Sequence, residues 1–229
     1  MIWTFGFFLT LAVFFLSKYL YKRYPSFITH PVLLPSIIII LTIEVFHIDY
    51  RDYAIGAKGL TFFLNPATVA LSYLLYKKWD TIKKYTFEVL FTIALSSILG
   101  IATAYLFVLF SGGEEITALS MVPKSVTTPI AVRVSRIIGG IPSLTAVFVI
   151  ITGITGALLG PFFLRIFRIH NPIAWGLSMG ITSHGIGTAK AVEKGALEGA
   201  TSGVGFILMG LFTALFAPFV VAVIRFLLR

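Results

Sequence analysis

The chain has 229 residues, 58% of them hydrophobic and 12% charged, with 18 Lys and Arg against 9 Asp and Glu and a formal net charge of +9. A soluble domain carries roughly twice that charged fraction, and a mean hydropathy of +0.97 describes one integral membrane domain with no room for a soluble one. The absence of cysteine excludes disulfides, thiol nucleophiles and thiolate metal sites, and the basic excess sits in short loops between apolar runs, where it reads as an orientation signal rather than a nucleic-acid surface.

A spanning helix needs about 20 apolar residues. Apolar runs near residues 2–20, 31–46, 59–76, 85–110, 141–164, 172–191 and 203–228 predict seven spans. The first lacks a basic start and is followed by Lys18, Lys22 and Arg23, unlike a signal peptide. The second opens at Pro31 and Pro35, which suit a first helical turn. The third is broken at Asn65-Pro66, and the fourth ends in the acidic turn Ser111-Gly-Gly-Glu-Glu115. The sixth is interrupted by Gly180-Ile-Thr-Ser-His-Gly-Ile-Gly-Thr-Ala-Lys-Ala191. Between the fourth and fifth, residues 116–140 hold Val122-Pro-Lys-Ser-Val-Thr-Thr-Pro-Ile-Ala131, a poor lipid-facing helix.

The positive-inside rule decides how residues 116–140 lie. If they dip in and return on one side, Lys18, Lys22, Arg23, Lys77, Lys78, Lys83, Lys84, Arg165, Arg168, Arg225 and Arg229 all fall in the cytoplasm, with the acidic turn outside. The expected fold is therefore an all-α integral membrane protein of seven transmembrane helices plus one re-entrant hairpin, N-terminus outside and C-terminus cytoplasmic. The triplets 31–46, 59–76, 85–110 and 141–164, 172–191, 203–228 then run in opposite senses, each with a broken middle member. This is the pattern of inverted repeats that build a site from discontinuous helices near the midplane.

Polar groups at membrane depth survive where they line a cavity or are buried in protein. Lys190 is the leading candidate, since an intramembrane cation is a functional residue by default and suits a carboxylate; the alternative is a lysine reaching water at a helix end. Lys124, Ser125, Thr127, Thr128 and Arg133 combine cations with hydroxyls, a set that fits a small hydroxy-carboxylate or an interfacial anchor. Asn65 and Pro66 free amides at a helix start that attract anions, with Thr68 one turn on; a structural kink is the alternative. Ser183, His184, Gly185, Gly187 and Thr188 complete the substrate-binding set. Histidine changes charge near neutral pH, so His184 is a proton-coupling candidate, and Glu44 in the second span is another. The glycines serve either close ligand approach or helix packing. Trp3, Trp79 and Trp175 read as interfacial residues, and Glu88 as a helical surface partner of Lys84. No metal cluster, nucleotide loop or cofactor motif is present, and Ser183-His184 are neighbours, which rarely act as nucleophile and base; an enzyme is not expected.

Three motifs, Asn65-Pro-Ala-Thr-Val-Ala-Leu71, Pro123-Lys-Ser-Val-Thr-Thr-Pro-Ile-Ala131 and Thr182-Ser-His-Gly-Ile-Gly-Thr-Ala-Lys-Ala191, occur in an order that resembles the LrgB/CidB family of bacterial membrane proteins over nearly the whole chain. The resemblance implies two functions. One is an antiholin-like or holin-like modulator of murein hydrolase activity and cell lysis, acting with a small LrgA/CidA-type membrane partner. The other is a carrier of glycolate, glycerate or pyruvate, as in the related plant chloroplast glycolate/glycerate translocator. The expected reading is a secondary transporter of small organic anions in the bacterial cytoplasmic membrane, with the lysis role as the alternative. Its partners are then a carboxylate, the bilayer, and either a second copy or the LrgA/CidA-type protein, with no nucleic acid.

Overall fold

Several helix starts in this chain are marked by a capping side chain or a proline, as at Asp49, Asn171-Pro172 and Pro142. The computed structural model describes residues 2–24, 26, 28–63, 66, 73 and 76–228; they are helical without any strand and form two compact units, Met1–Ala70 and Leu71–Arg229.

The first unit holds α1 (Ile2–Arg23), α2 (Leu33–Val45) and α3 (Tyr50–Phe62). Asp49 caps α3, its carboxylate accepting from the Arg51 amide at 2.7 Å, which satisfies one open donor. The α1 helix packs on α3 through Gly6, whose missing Cβ admits the Tyr53 carbonyl, and through Thr10 and the Tyr53 hydroxyl at 2.9 Å. One expectation is corrected here. The 31–46 run forms a helix of 13 residues, about 20 Å long and so shorter than the hydrocarbon core. Residues 50–58, between two expected spans, are helical, and the Asp49 cap supports a start that hydropathy does not mark. The predicted break at 65–66 and the span around it lie mostly outside the described residues.

The second unit begins with a helical stretch at 76–82 and a 3₁₀ turn, Lys83–Tyr85, leading into α4 (Thr86–Phe110). There follow α5 (Glu115–Met121), α6 (Thr128–Ile138), α7 (Pro142–Ile166), α8 (Pro172–Lys194) and α9 (Ala196–Leu227). Tyr76–Phe110, Pro142–Ile166 and Ala196–Leu227 are long and apolar enough to cross a membrane, as is Thr4–Arg23 in the first unit.

Helices α5 and α6, over the 116–140 segment, fold as a helical hairpin. Pro123 and Pro129 bracket its tip, and Gly139 closes α6 at φ 92°, a conformation costly for other residues. Buried Ser120, Ser135 and Thr145 pin this hairpin to α7: the Thr145 hydroxyl reaches Ser135 Oγ at 2.7 Å and the Ser120 carbonyl at 2.9 Å, and Ser120 Oγ accepts from the Ile141 amide at 2.8 Å.

The α8 segment is a second hairpin rather than a span. His184 interrupts its helical backbone with φ 42° and ψ −131°. Beyond it the chain folds back: Lys194 Nζ stands 4.0 Å from the Trp175 ring, although nineteen residues of straight helix would separate them by about 28 Å. The first arm, 172–183, runs antiparallel to α7 in regular steps. Gly153 faces His184, Gly156 faces Ser183, Gly160 faces Met179, and Leu164 packs with Trp175. The expected crossing at 172–191 is thus corrected, because one conformational break reverses the helix direction without any loop in the sequence.

That reversal also moves the end of the chain. Glu115 Oε1 accepts from Tyr105 Oη at 2.7 Å and from Arg225 Nε at 2.6 Å, so the end of α9 shares a face with the acidic turn. The expectation of Arg225 on the side opposite that turn is overturned, because α8 contributes no crossing. At the other end of this unit, Tyr85 and Glu88 share a groove with Asn171 and Ile173. Lys77, Lys78, Lys83 and Lys84 precede that level, and Arg165, Lys190 and Lys194 belong to the same end. A cysteine at Gly112 and one at Leu228 are expected to react with an impermeant thiol reagent from the same side, and one at Lys190 from the other. Labelling of Gly112→Cys and Leu228→Cys from opposite sides would restore the extra crossing.

Candidate functional site

The two hairpins enter the second unit from opposite ends and reach one level of α7. Val126 from the first tip, Ala131, Val149 of α7, and Leu177 and Ile181 of the second hairpin share one buried cluster with Val89, Ile93 and Met209. A separate cluster around Tyr105, Leu119, Val134 and Val221 fills the end bearing Glu115. A third, Leu164, Trp175, Met179 and Ala191, fills the opposite end. The level of Val149 is therefore central, and both tips lie there.

At the second tip Ser183, His184 and Thr188 are buried. His184 Nε2 bonds the Val149 carbonyl at 3.1 Å, an approach that the bare Cα of Gly153 permits. Thr188 Oγ1 donates to the His184 carbonyl at 2.8 Å and lies 2.9 Å from Ser202 Oγ, which ties the returning arm to α9. His184 Nδ1 has no hydrogen-bond partner among the described residues and is not sealed from the surface. Ser183 Oγ pairs with Thr182 Oγ1 at 3.2 Å, so Ser183 and His184 do not engage each other as nucleophile and base. The two tip glycines now differ. A Cβ on Gly187 would collide with the Met179 carbonyl, whereas one on Gly185 would meet open space. Gly187 is a packing glycine; Gly185 leaves the backbone open to an incoming group.

At the first tip Lys124 is half-buried, and its ammonium has one partner among the described residues, Ser125 Oγ at 3.4 Å. Thr127 and Thr128 are half-buried at the start of α6, with Pro129 locking its first turn. Arg133 projects from an exposed position on α6. The carboxylates of this unit are Asp80, Glu88, Glu114, Glu115, Glu193 and Glu198. Glu115 is engaged at one end, Glu193 and Glu198 pair with lysines near the other, and none lies on the tip segments 122–128 and 182–188.

Lys190 stands away from the tip. It occupies the foot of the returning arm, ion-paired with Glu193 at 2.9 Å in a cavity of about 410 Å³ with Arg165, His170, Trp175 and Lys194. Trp175, expected at the lipid interface, is buried under the Lys194 ammonium. Glu88 has no bond to Lys84 among the described residues; it lines a groove of about 370 Å³ between α4 and the first arm of α8, with Thr92, Ser96, Asn171, Ser178 and Thr182. This row of hydroxyls runs from the basic end to the second tip, and the hydropathy pattern concealed it because each hydroxyl sits singly in an apolar run. Of the remaining candidates, Glu44 is exposed near the end of α2 and Pro66 is exposed, both in the first unit; Asn65 and Thr68 lie outside the described residues. No group of three or more His, Cys, Asp or Glu capable of holding a metal occurs among the described residues.

A multi-pass, all-helical membrane protein with two helical hairpins packed against its long apolar helices is the class that this fold defines. The chain belongs to the LrgB-like family, which it matches over residues 10–223. It is 38% identical to the uncharacterized protein YxaC and 39% to the uncharacterized protein YwbG of Bacillus subtilis (strain 168), over 93% and 94% of this chain and 93% and 96% of those proteins. It is 33% identical to the antiholin-like protein LrgB of the same organism over 96% of each chain. No solved structure matches it.

Proposed function

We propose that this chain is a carrier of small organic anions of the glycolate, glycerate and pyruvate kind, taken up between the tips of its two hairpins. The observation that carries this reading is the half-buried Lys124 ammonium at the first tip, with a single weak hydroxyl partner among the described residues and no carboxylate on either tip segment. A cation removed from water costs several kcal/mol unless a countercharge meets it, and a substrate carboxylate is the group that would. Ser125, Thr127, Thr128, Ser183 and Thr188 supply hydroxyls, and His184 supplies a titratable ring for a coupled proton. Arg133, exposed on α6, remains a candidate for an outer part of the path. Opposed broken helices meeting near the midplane are the arrangement through which secondary carriers alternate access.

A second reading, an antiholin-like modulator of murein hydrolase activity acting with an LrgA/CidA-type partner, is favoured by the names of relatives at 33% identity. Reconstituted liposomes separate the two. Uptake of labelled glycolate, glycerate, lactate or pyruvate, with and without a pH gradient, is expected to saturate and to fall at least tenfold in Lys124→Gln, the loss of one charge-assisted contact of about 1.5–3 kcal/mol. Release of a trapped dye without saturable uptake would favour the lysis reading, and full uptake by Lys124→Gln would remove Lys124 from the site.

A further inference from the structure

The cavity at the foot of the second hairpin is built differently from the tips. Arg165 comes from the end of α7, His170 from the α7–α8 turn, and Lys190 and Lys194 from the returning arm; Pro161, Ile169 and Trp175 form an apolar wall, and Glu193 is the one carboxylate in the lining. Glu193 is taken by Lys190 at 2.9 Å. Lys194 lies over Trp175 at 4.0 Å and is 3.9 Å from Glu198. The Arg165 and His170 side chains have no hydrogen-bond or ion-pair partner among the described residues. Three cations and an imidazole therefore surround one concave space of about 410 Å³, with Glu193 and, behind Lys194, Glu198 offsetting the two lysines and nothing offsetting Arg165 among the described residues.

We infer that this cavity binds a phosphate group, carried either by an anionic lipid headgroup or by a soluble phosphate ester. A guanidinium presents paired donors that match phosphate oxygens, and lysines add point charge without demanding direction. A tetrahedral phosphate directs its oxygens to the guanidinium and to cations on a second element at once, which a planar monocarboxylate does less well. The position also fits: the cavity lies at the basic ends of the spans, where lipid phosphates stand, and basic pockets between helices on the cytoplasmic side take up headgroups. The apolar wall of Ile169, Pro161 and Trp175 suits the carbon skeleton that follows the phosphate. An occupant would bridge α7 to the foot of the returning arm and hold the hairpin against it. This site is distinct from the one at the tips, so its occupancy does not depend on what the tips carry.

The test is binding to the purified full-length chain. Inorganic phosphate, and separately vesicles of phosphatidylcholine with phosphatidylglycerol against phosphatidylcholine alone, are titrated while the melting temperature and the retained lipid mass are followed. The wild type is expected to gain stability with at least one probe. Arg165→Gln is expected to weaken that binding roughly tenfold, as one lost charge-assisted contact does, while Arg168→Gln, an equal charge loss outside the cavity, leaves it unchanged. Response to the lipid alone identifies a headgroup site, and response to inorganic phosphate a soluble one; either supports the inference. Response to neither, or equal loss in Arg168→Gln and Arg165→Gln, overturns it. Should Arg165→Gln fold poorly, His170→Gln, which likewise has no protein contact to lose, replaces it.

Discussion

Gly187→Ala is expected to open the second hairpin, while Gly185→Ala, two positions away, leaves the protein as stable as the wild type. A Cβ at 187 would strike the Met179 carbonyl and crowd the Ser183 side chain, whereas at 185 it would meet nothing. The obstacle at 187 is backbone of the opposite arm, so no side-chain rotation relieves it and the arms must part. Overpacking of this kind costs about 1–3 kcal/mol. Parting the arms also strains the buried contact of Thr188 with Ser202 at 2.9 Å, worth about 1 kcal/mol more. Thermal melting of the two variants in detergent checks this, with a fall of several degrees for Gly187→Ala and none for Gly185→Ala. An unchanged melting temperature in Gly187→Ala would mean that the arms are not in backbone contact and that α8 is not folded back.

That pair of glycines shows where sequence reasoning stops. In Gly185-Ile-Gly187 the two are indistinguishable by type and spacing; only the returning arm, brought in by the reversal at His184, assigns one to packing. The first hairpin was legible because Pro123 and Pro129 bracket a polar tip within an otherwise apolar chain, and because the basic clusters demand an even number of passes there. The second was not, since Pro172–Lys194 has a single start signal, Asn171 with Pro172, and no breaker at the turn other than a histidine. Counting it as a crossing placed Arg225 on the wrong face, an error that the ion pair with Glu115 exposes. The length of α9 was underestimated at its start for a related reason: residues 196–202 carry Glu198, Thr201 and Ser202, polar groups that face the hairpin rather than lipid.

The candidate site divides along the same line. Residue types pointed to the tips, and Lys124, Ser183, His184 and Thr188 are found there. The same logic put Lys190, an apparent intramembrane cation, in one binding set with His184. On the returning arm, however, six residues carry Lys190 about 9 Å along the axis, away from the level of His184 and toward the Arg165 end. Depth in a re-entrant element depends on which arm a residue occupies, and hydropathy does not record the direction of travel.

His184→Gly is expected to keep the fold and lose transport, a separation that few substitutions at a tip would produce. The backbone at 184 has φ 42° and ψ −131°, which a non-glycine residue holds only at a cost of about 1–3 kcal/mol and glycine adopts freely. Replacement by glycine therefore releases strain. It also deletes the bond from Nε2 to the Val149 carbonyl at 3.1 Å, worth about 1 kcal/mol, and adds backbone entropy to the unfolded chain worth about 0.4–1 kcal/mol. These changes nearly cancel, so the melting temperature of His184→Gly is expected close to that of the wild type. His184→Ala loses the same bond but keeps the strained backbone, and its melting temperature is expected below both. On the carrier reading proposed above, the ring with one nitrogen anchored on α7 is what the retained strain serves. Liposome uptake then decides the role. Uptake absent in both variants, with His184→Gly intact in melting, assigns the imidazole to the solute or its proton. Full uptake by His184→Gly would reduce the histidine to a turn residue, and a lower melting temperature for His184→Gly than for His184→Ala would refute the strain at the tip.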